Sequence, residues 1–212
     1  EFRSGAEVVA ALIGLDAALA GADWAITGEG RTDAQTLLRK APCVVAERAR
    51  AVVAQADAAE GYAICYGVDD GRLLEALVAH SKLRLVAVDP DAAKVEQLRR
   101  RLDQAGVYGT RVSLHVGDPL TFKAPPYIAQ LVVIGGDFAP RLTDPQLLQT
   151  AYQSVRPYGG TLWIACARTA QPGLLSQIQA AQLAQARVTA DDLSVRVVRE
   201  GPLPGSADWT HQ

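Results

Sequence analysis

The 212 residues carry 49% hydrophobic and 21% charged side chains and a net charge of −2, the balance of a folded soluble domain with a sizeable core. The near-neutral charge, with arginines spread among acids, gives no electrostatic case for nucleic acid or an anionic membrane as partner. No apolar run reaches the length of a membrane span and no signal peptide is visible, so the reading is cytoplasmic.

The three cysteines, Cys43, Cys65 and Cys166, are scattered through apolar contexts. That argues against a disulfide framework or a zinc site and for buried free thiols in a reducing cytosol. Methionine is absent, so the chain reads as beginning inside something larger or as processed, and Glu1–Gly5 is left out of the fold reading.

In chain order, Val8, Val9, Leu12, Ile13, Leu15 and Leu19 predict an amphipathic helix over residues 6–20, stopped by Gly21. Asp23–Thr27 is a short strand and Gly28–Asp33 a turn. Pro42 opens a helix running to about Asp57, since its missing N–H would be unpaired there anyway. Strands and helices then alternate, which implies a mostly parallel sheet with helices on both faces, an α/β fold. The strands are Tyr62–Tyr66, Leu83–Val88, Arg111–Val116, Gln130–Ile134, Gly160–Cys166 and Leu193–Arg199, with Arg187–Thr189 as a short partner to the last. The helices are Arg72–His80, Asp91–Gln104 capped by Asp91, Pro145–Val155 and Gly173–Gln185. Three units follow: an appendage (1–41), a Rossmann-like domain (42–200) and a linker-like tail (201–212). The appendage's strand has an edge to satisfy, either in the main sheet or against a second copy, so a homodimer is plausible.

The chemistry concentrates in Gly61–Leu73 and Leu85–Asp89. A strand runs into a turn holding Gly67, Val68, Asp69 and Gly71, a helix opens at Arg72, and a second strand ends on Asp89, followed by Pro90. A strand, a glycine turn, a helix and an acid about 20 residues on is the pattern of a nucleoside-cofactor site. Glycines let backbone approach the ligand, the helix N-terminus offers unpaired N–H groups, and the acid accepts from a ribose diol. Because ligands of open α/β sheets bind outside the carboxyl ends of the strands, Asp118 and Pro119 after strand three and Gly135-Gly136-Asp137 after strand four belong to the same rim. Asp137, Tyr66 and Tyr127 are the residues that could face a second substrate. His80 reads as a helix-end cap, His115 as a strand residue and Arg99-Arg100-Arg101 as a solvated helix face.

Two resemblances follow. Gly21-Ala-Asp-Trp-Ala-Ile-Thr-Gly-Glu-Gly-Arg-Thr-Asp-Ala-Gln-Thr-Leu with Lys40-Ala-Pro resembles a segment of bacterial glycerate kinases over about the first 45 residues. It implies inherited positions Glu29, Arg31, Asp33 and Lys40, with Arg39 standing where that family has Gly. Most of such a kinase's active site is missing, and no GxxxxGK[ST] loop is present, so these residues are read as serving packing, solubility or pairing. Residues 42–200 resemble a class I S-adenosylmethionine-dependent methyltransferase, in particular domains attached to bacterial quinoprotein-type β-propeller proteins. The likeness rests on Gly61–Leu73, Val86-Ala-Val-Asp-Pro-Asp91, Val116-Gly-Asp-Pro-Leu120 and Arg156-Pro-Tyr-Gly-Gly-Thr-Leu162. It implies a chimeric chain binding S-adenosylmethionine, with S-adenosylhomocysteine as product. Gly67 and Gly71 would form the cofactor loop, Asp89 would hold the ribose and Asp118 would meet the adenine amino group. The family's loop is G-x-G-x-G, and Asp69 replaces the middle glycine, where a side chain can crowd or repel the cofactor's carboxylate.

Three functions therefore stand side by side: a methyltransferase or another S-adenosylmethionine-using enzyme on a small molecule, a non-catalytic nucleoside-binding module with an altered loop, and an NAD-linked oxidoreductase. The last explains neither Asp118 nor the Pro157-Tyr158-Gly159-Gly160 turn. No metal ligand set is present in the sequence, and the partner expected is a small molecule.

Overall fold

A parallel strand covered by helices is buried on both faces, so it is written as an unbroken apolar run and not as an alternation. Leu131–Ile134 is such a run, and every residue of the strand Ala129–Ile134, Gln130 included, is buried. The computed structural model, which describes residues 50–54, 58–192, 194–203 and 205–206, places this strand at the middle of the sheet. Its elements are β1 (Glu60–Tyr66), α1 (Arg72–His80), β2 (Lys82–Asp89), α2 (Ala92–Gln104), β3 (Val112–Val116), β4 (Ala129–Ile134), a 3-10 helix (Gly136–Thr143), α3 (Pro145–Gln153), β5 (Thr161–Ala165), α4 (Gln171–Ala180), β6 (Ala186–Ala190) and β7 (Ser194–Arg199).

Seven strands form one sheet in the order β3-β2-β1-β4-β5-β7-β6. β1 pairs in parallel with β2 and β4, β2 with β3, and β4 with β5. β7 runs antiparallel between β5 and β6, which is the one reversal in an otherwise parallel α/β sheet. The expected alternation of strands and helices is therefore the observed one, and the short Arg187–Thr189 strand is β6.

Side chains sort by the two-residue period of the strands. Ala63 and Cys65 of β1 join Leu131 and Val133 of β4 under α1 and α2, where Leu74, Leu77, Leu98 and Leu102 complete one core and Val52 of the helical residues 50–54 joins them. Ile64 and Tyr66 join Val132 and Ile134 in the other core, closed by Phe138, Leu147, Leu148, Ala151, Leu174 and Ile178 from the 3-10 helix, α3 and α4. Two of the helices are started as their sequences dictate. The Asp91 carboxylate accepts the Ala93 and Lys94 N–H groups ahead of α2, and Asp144 accepts the Gln146 N–H ahead of α3, whose first residue is Pro145.

Two differences from expectation have local causes. α4 ends at Ala180, short of Gln185, where Gln182 and Gln185 take φ of 47° and 55° and turn the chain toward β6. The 3-10 helix had no counterpart in the sequence reading; Pro140 inside it removes a backbone donor and keeps the segment from a regular α-helix. The expectations for the appendage (the 6–20 helix, the Asp23–Thr27 strand, Glu29, Arg31, Asp33, Lys40), for Cys43, for Leu193 and for the last residues of the tail lie outside the described residues.

Cys65 and Cys166 are buried free thiols. Burial, with the Asp69 charge adding to it, pushes the Cys65 thiol up to about 12, and burial raises Cys166 as well. Neither presents a thiolate at neutral pH.

Candidate cofactor-binding rim

β1 ends against the turn Gly67–Gly71, and its backbone is held from both neighbouring strands. The Gly67 N–H donates to Val88 O at 2.9 Å and the Gly135 N–H donates to Tyr66 O at 2.8 Å. Gly67 has φ 82° and Gly71 φ 81°, conformations that favour glycine. Close approach fixes both as well. A Cβ on Gly71 would lie 2.3 Å from Leu98 Cδ1, and one on Gly67 would lie 2.6 Å from the Phe138 ring. Gly71 thus serves the α1–α2 packing, while Gly67 lies directly under the 3-10 helix.

Asp89 closes the second side of the turn. It is only 2% exposed. One carboxylate oxygen accepts the Val68 N–H at 3.0 Å and the other accepts the Asp91 N–H at 2.8 Å. Its backbone carbonyl accepts the Gly117 N–H at 3.0 Å, which ties the end of β2 to the end of β3 and brings Asp118 to the same rim. Val68 and Pro119 are buried, while Pro90 is exposed at the start of the α2 connection.

Asp118 and Asp69 are both engaged by the 3-10 helix. Asp118 pairs with Arg141 at 2.6 Å and accepts the Leu120 N–H at 2.9 Å. The Arg141 guanidinium also stacks over the Phe138 ring, 5.0 Å from its centroid. Asp69, in a left-handed conformation with φ 46°, accepts the Gly136 N–H at 3.0 Å. A Cβ on Gly135 would meet Gly67 O at 2.9 Å and the Asp69 carboxylate at 3.0 Å, so a glycine is required where β4 passes the turn. The bond to Arg141, ahead of the cost of desolvation, holds the Asp118 carboxyl below the usual carboxylate range. A depressed carboxylate stabilises the closed rim above its unfolded pKa, and that contribution is lost only as pH falls through the lower folded value. Arg141→Ala is expected to return the Asp118 titration toward ordinary Asp, about 3.9, as read by carboxyl-carbon NMR against pH; an unmoved midpoint would mean the pair is not formed in solution.

The rim therefore gathers Gly67, Val68, Asp69, Asp89, Asp118 and the backbone of Asp137 in the 3-10 helix. Two sequence candidates are corrected. Tyr66, read as able to face an acceptor, is fully buried, because it shares the strand face of Ile64 beneath α3. Its hydroxyl closes no hydrogen bond of normal geometry, although the Ser154 side chain is near enough to counter in part the rise that burial gives its pKa. Tyr127 sits just before β4, at the amino edge of the sheet, where its N–H donates to Gln153 O. Outside the rim, His115 packs on Phe122. Sequence reasoning missed Phe138 and Arg141; the usable signal was an aromatic and a cation in the short connection between Gly136 and the Asp144-Pro145 helix start.

The first 98 residues match the model of the glycerate kinase family, a stretch that runs past the appendage through β1, α1 and β2 into α2. No curated protein matches the chain. Several solved structures with the same fold are described as methyltransferases. A Methanococcus maripaludis protein with a provisional assignment as an S-adenosyl-L-methionine-dependent methyltransferase superposes with TM-score 0.62 at 12% identity, covering 84% of this chain and 99% of its own. A SAM-dependent methyltransferase of Aquifex aeolicus gives TM-score 0.60 at 12% identity over 79% of this chain and 98% of its own. A SAM-dependent O-methyltransferase of Thermotoga maritima gives 0.58 at 14% identity over 74% of this chain and 66% of its own. The described domain thus has the Rossmann-like methyltransferase fold.

Proposed function

We propose that the chain binds S-adenosylmethionine at the carboxyl rim and serves as a methyltransferase on a small molecule. The observation that carries this reading is the placing of Asp89 and Asp118 at the ends of adjacent strands beside the Gly67 turn, in a sheet of methyltransferase order. The donor set suits the nucleoside: two carboxylates for a ribose diol and an exocyclic amine, and backbone at Gly67 and Val68 for close approach. The space is another matter, since the Phe138 ring lies 2.6 Å from where a Cβ on Gly67 would stand and the Asp69 carboxylate is bonded to the Gly136 N–H. Binding therefore requires the 3-10 helix to move off the turn, breaking the Asp118–Arg141 and Asp69–Gly136 contacts. When bound, the cofactor supplies an activated methyl group. The chain's own part is to orient it and exclude water, because methyl transfer depends mainly on proximity and alignment.

A second reading, a nucleoside-binding module without turnover, draws on the same Asp69 contact. Calorimetry with S-adenosylmethionine and S-adenosylhomocysteine tests both readings, and labelled-methyl turnover over candidate acceptors separates them. Saturable heat with either ligand is expected. Its absence with a folded chain, or a larger thermal shift with NAD than with S-adenosylmethionine, overturns the assignment.

A further inference from the structure

We propose that a cavity at the amino edge of the sheet, opposite the glycine rim, binds a small carboxylate- or phosphate-bearing molecule on the guanidinium of Arg199. The cavity, of about 530 Å³, lies between α3, the turn after α4 and the end of β7, a size within the usual range of small-ligand sites.

Arg199 is 4% exposed, and among the described residues no carboxylate pairs with it. The adjacent Glu200 is bonded to Arg187 instead. Burying a guanidinium without a counter-ion is costly, and the fold offsets only part of that cost. Nε donates to Val155 O at 3.0 Å and Nη2 to Tyr152 O at 2.7 Å, capping the carbonyl end of α3, where a cation is favoured. The Tyr152 ring covers the guanidinium at 3.9 Å and the Tyr127 ring lies at 5.3 Å, the flanking aromatic contacts that arginine favours.

Those contacts use two of the five N–H donors that an arginine carries. Among the described residues nothing hydrogen-bonds the Nη1 end, and Arg199 lines the cavity. Capping α3 explains the Nε edge; it does not explain why the other fork faces a polar hollow. That fork, Nη1 with the second Nη2 hydrogen, has the planar spacing that matches a carboxylate or phosphate. Gln146, Gln149 and Gln153 stand at i, i+3 and i+7 on α3, so their amides share the helix face that lines the cavity.

The test is calorimetry of the whole chain with sodium acetate and with inorganic phosphate, each against sodium chloride at matched ionic strength. Saturable binding of at least one is expected, weakened about tenfold by Arg199→Lys, which keeps the charge and loses the fork. The Gln149→Ala/Gln153→Ala pair, on an exposed face, is expected to weaken it comparably, and decides the matter alone if Arg199→Lys does not fold. No saturable binding of either anion to the folded chain, or unchanged affinity in the glutamine variant, overturns the proposal. The two sites are told apart by the residues tested, since Arg199, Gln149 and Gln153 make no contact with Gly67, Asp89 or Asp118, although Leu120 at the far end of the cavity adjoins Asp118.

Discussion

Asp89→Ala is expected to destabilise the domain by about 2–4 kcal/mol, because two backbone donors at the heart of the turn lose their acceptor at roughly 1–3 kcal/mol each. Val68 and Asp91 donate to opposite oxygens of this one carboxylate, at 3.0 and 2.8 Å, and neither has another acceptor at hand once a methyl group stands there. Removing the buried charge returns part of its desolvation cost, which is why the figure stays below the sum of two full penalties. For a chain of this size the loss corresponds to a fall in Tm of about 5–15 °C, read by calorimetric or fluorescence melting. Asn in its place keeps one acceptor but turns an N–H₂ toward the other donor, so Asp89→Asn is expected to recover only part of the loss. An unchanged Tm in Asp89→Ala would mean that the carboxylate is held for a ligand alone and that the two N–H bonds carry no net stability.

That double duty was not legible in the sequence, where Asp89 reads simply as a ribose acceptor. The pattern of an acid closing a strand is the same whether its oxygens face solvent or reach back to the preceding turn. What was legible is anything set by short-range rules. The apolar runs at Ala63–Tyr66, Leu85–Val88 and Leu131–Ile134 announced buried parallel strands, and Asp91 and Asp144-Pro145 announced the helix starts. Strand direction is not encoded in a run of apolar residues, so the reversal of β7 had no signal in Ser194–Arg199. Tyr66 is an instructive miss, since its parity with Ile64 was already available and placed it under a helix. The 3-10 helix escaped because Gly135-Gly136 and Pro140 break every periodicity. Its effect on the site comes from Phe138 and Arg141, whose partners lie far away in sequence at Gly67 and Asp118.

The closed rim has a measurable consequence for affinity. If the open form is a minor one, the apparent dissociation constant rises by the reciprocal of its population. The Asp118–Arg141 pair closes it only weakly: both side chains are about a third or more exposed, 32% and 41%, and such pairs contribute about 0–1 kcal/mol. The Asp69 contact adds to it. It is a charge-assisted bond to the Gly136 N–H at 3.0 Å, and it sets a carboxylate beside the hollow a cofactor carboxylate would need. Asp69→Gly removes the bond, the bulk and the repulsion together, and is expected to tighten S-adenosylmethionine binding about tenfold or more, one decade being about 1.4 kcal/mol. The fold tolerates the change because φ is 46° there, and a glycine relieves the left-handed strain while forfeiting the bond. Asp69→Asn separates the contributions, since it keeps the volume and drops the charge: an affinity midway between wild type and Asp69→Gly assigns part of the barrier to repulsion, and one equal to wild type assigns it to bulk. Calorimetric titration of the three proteins reads this directly. Equal or weaker binding by a folded Asp69→Gly protein would show that the aspartate does not stand in the cofactor's way.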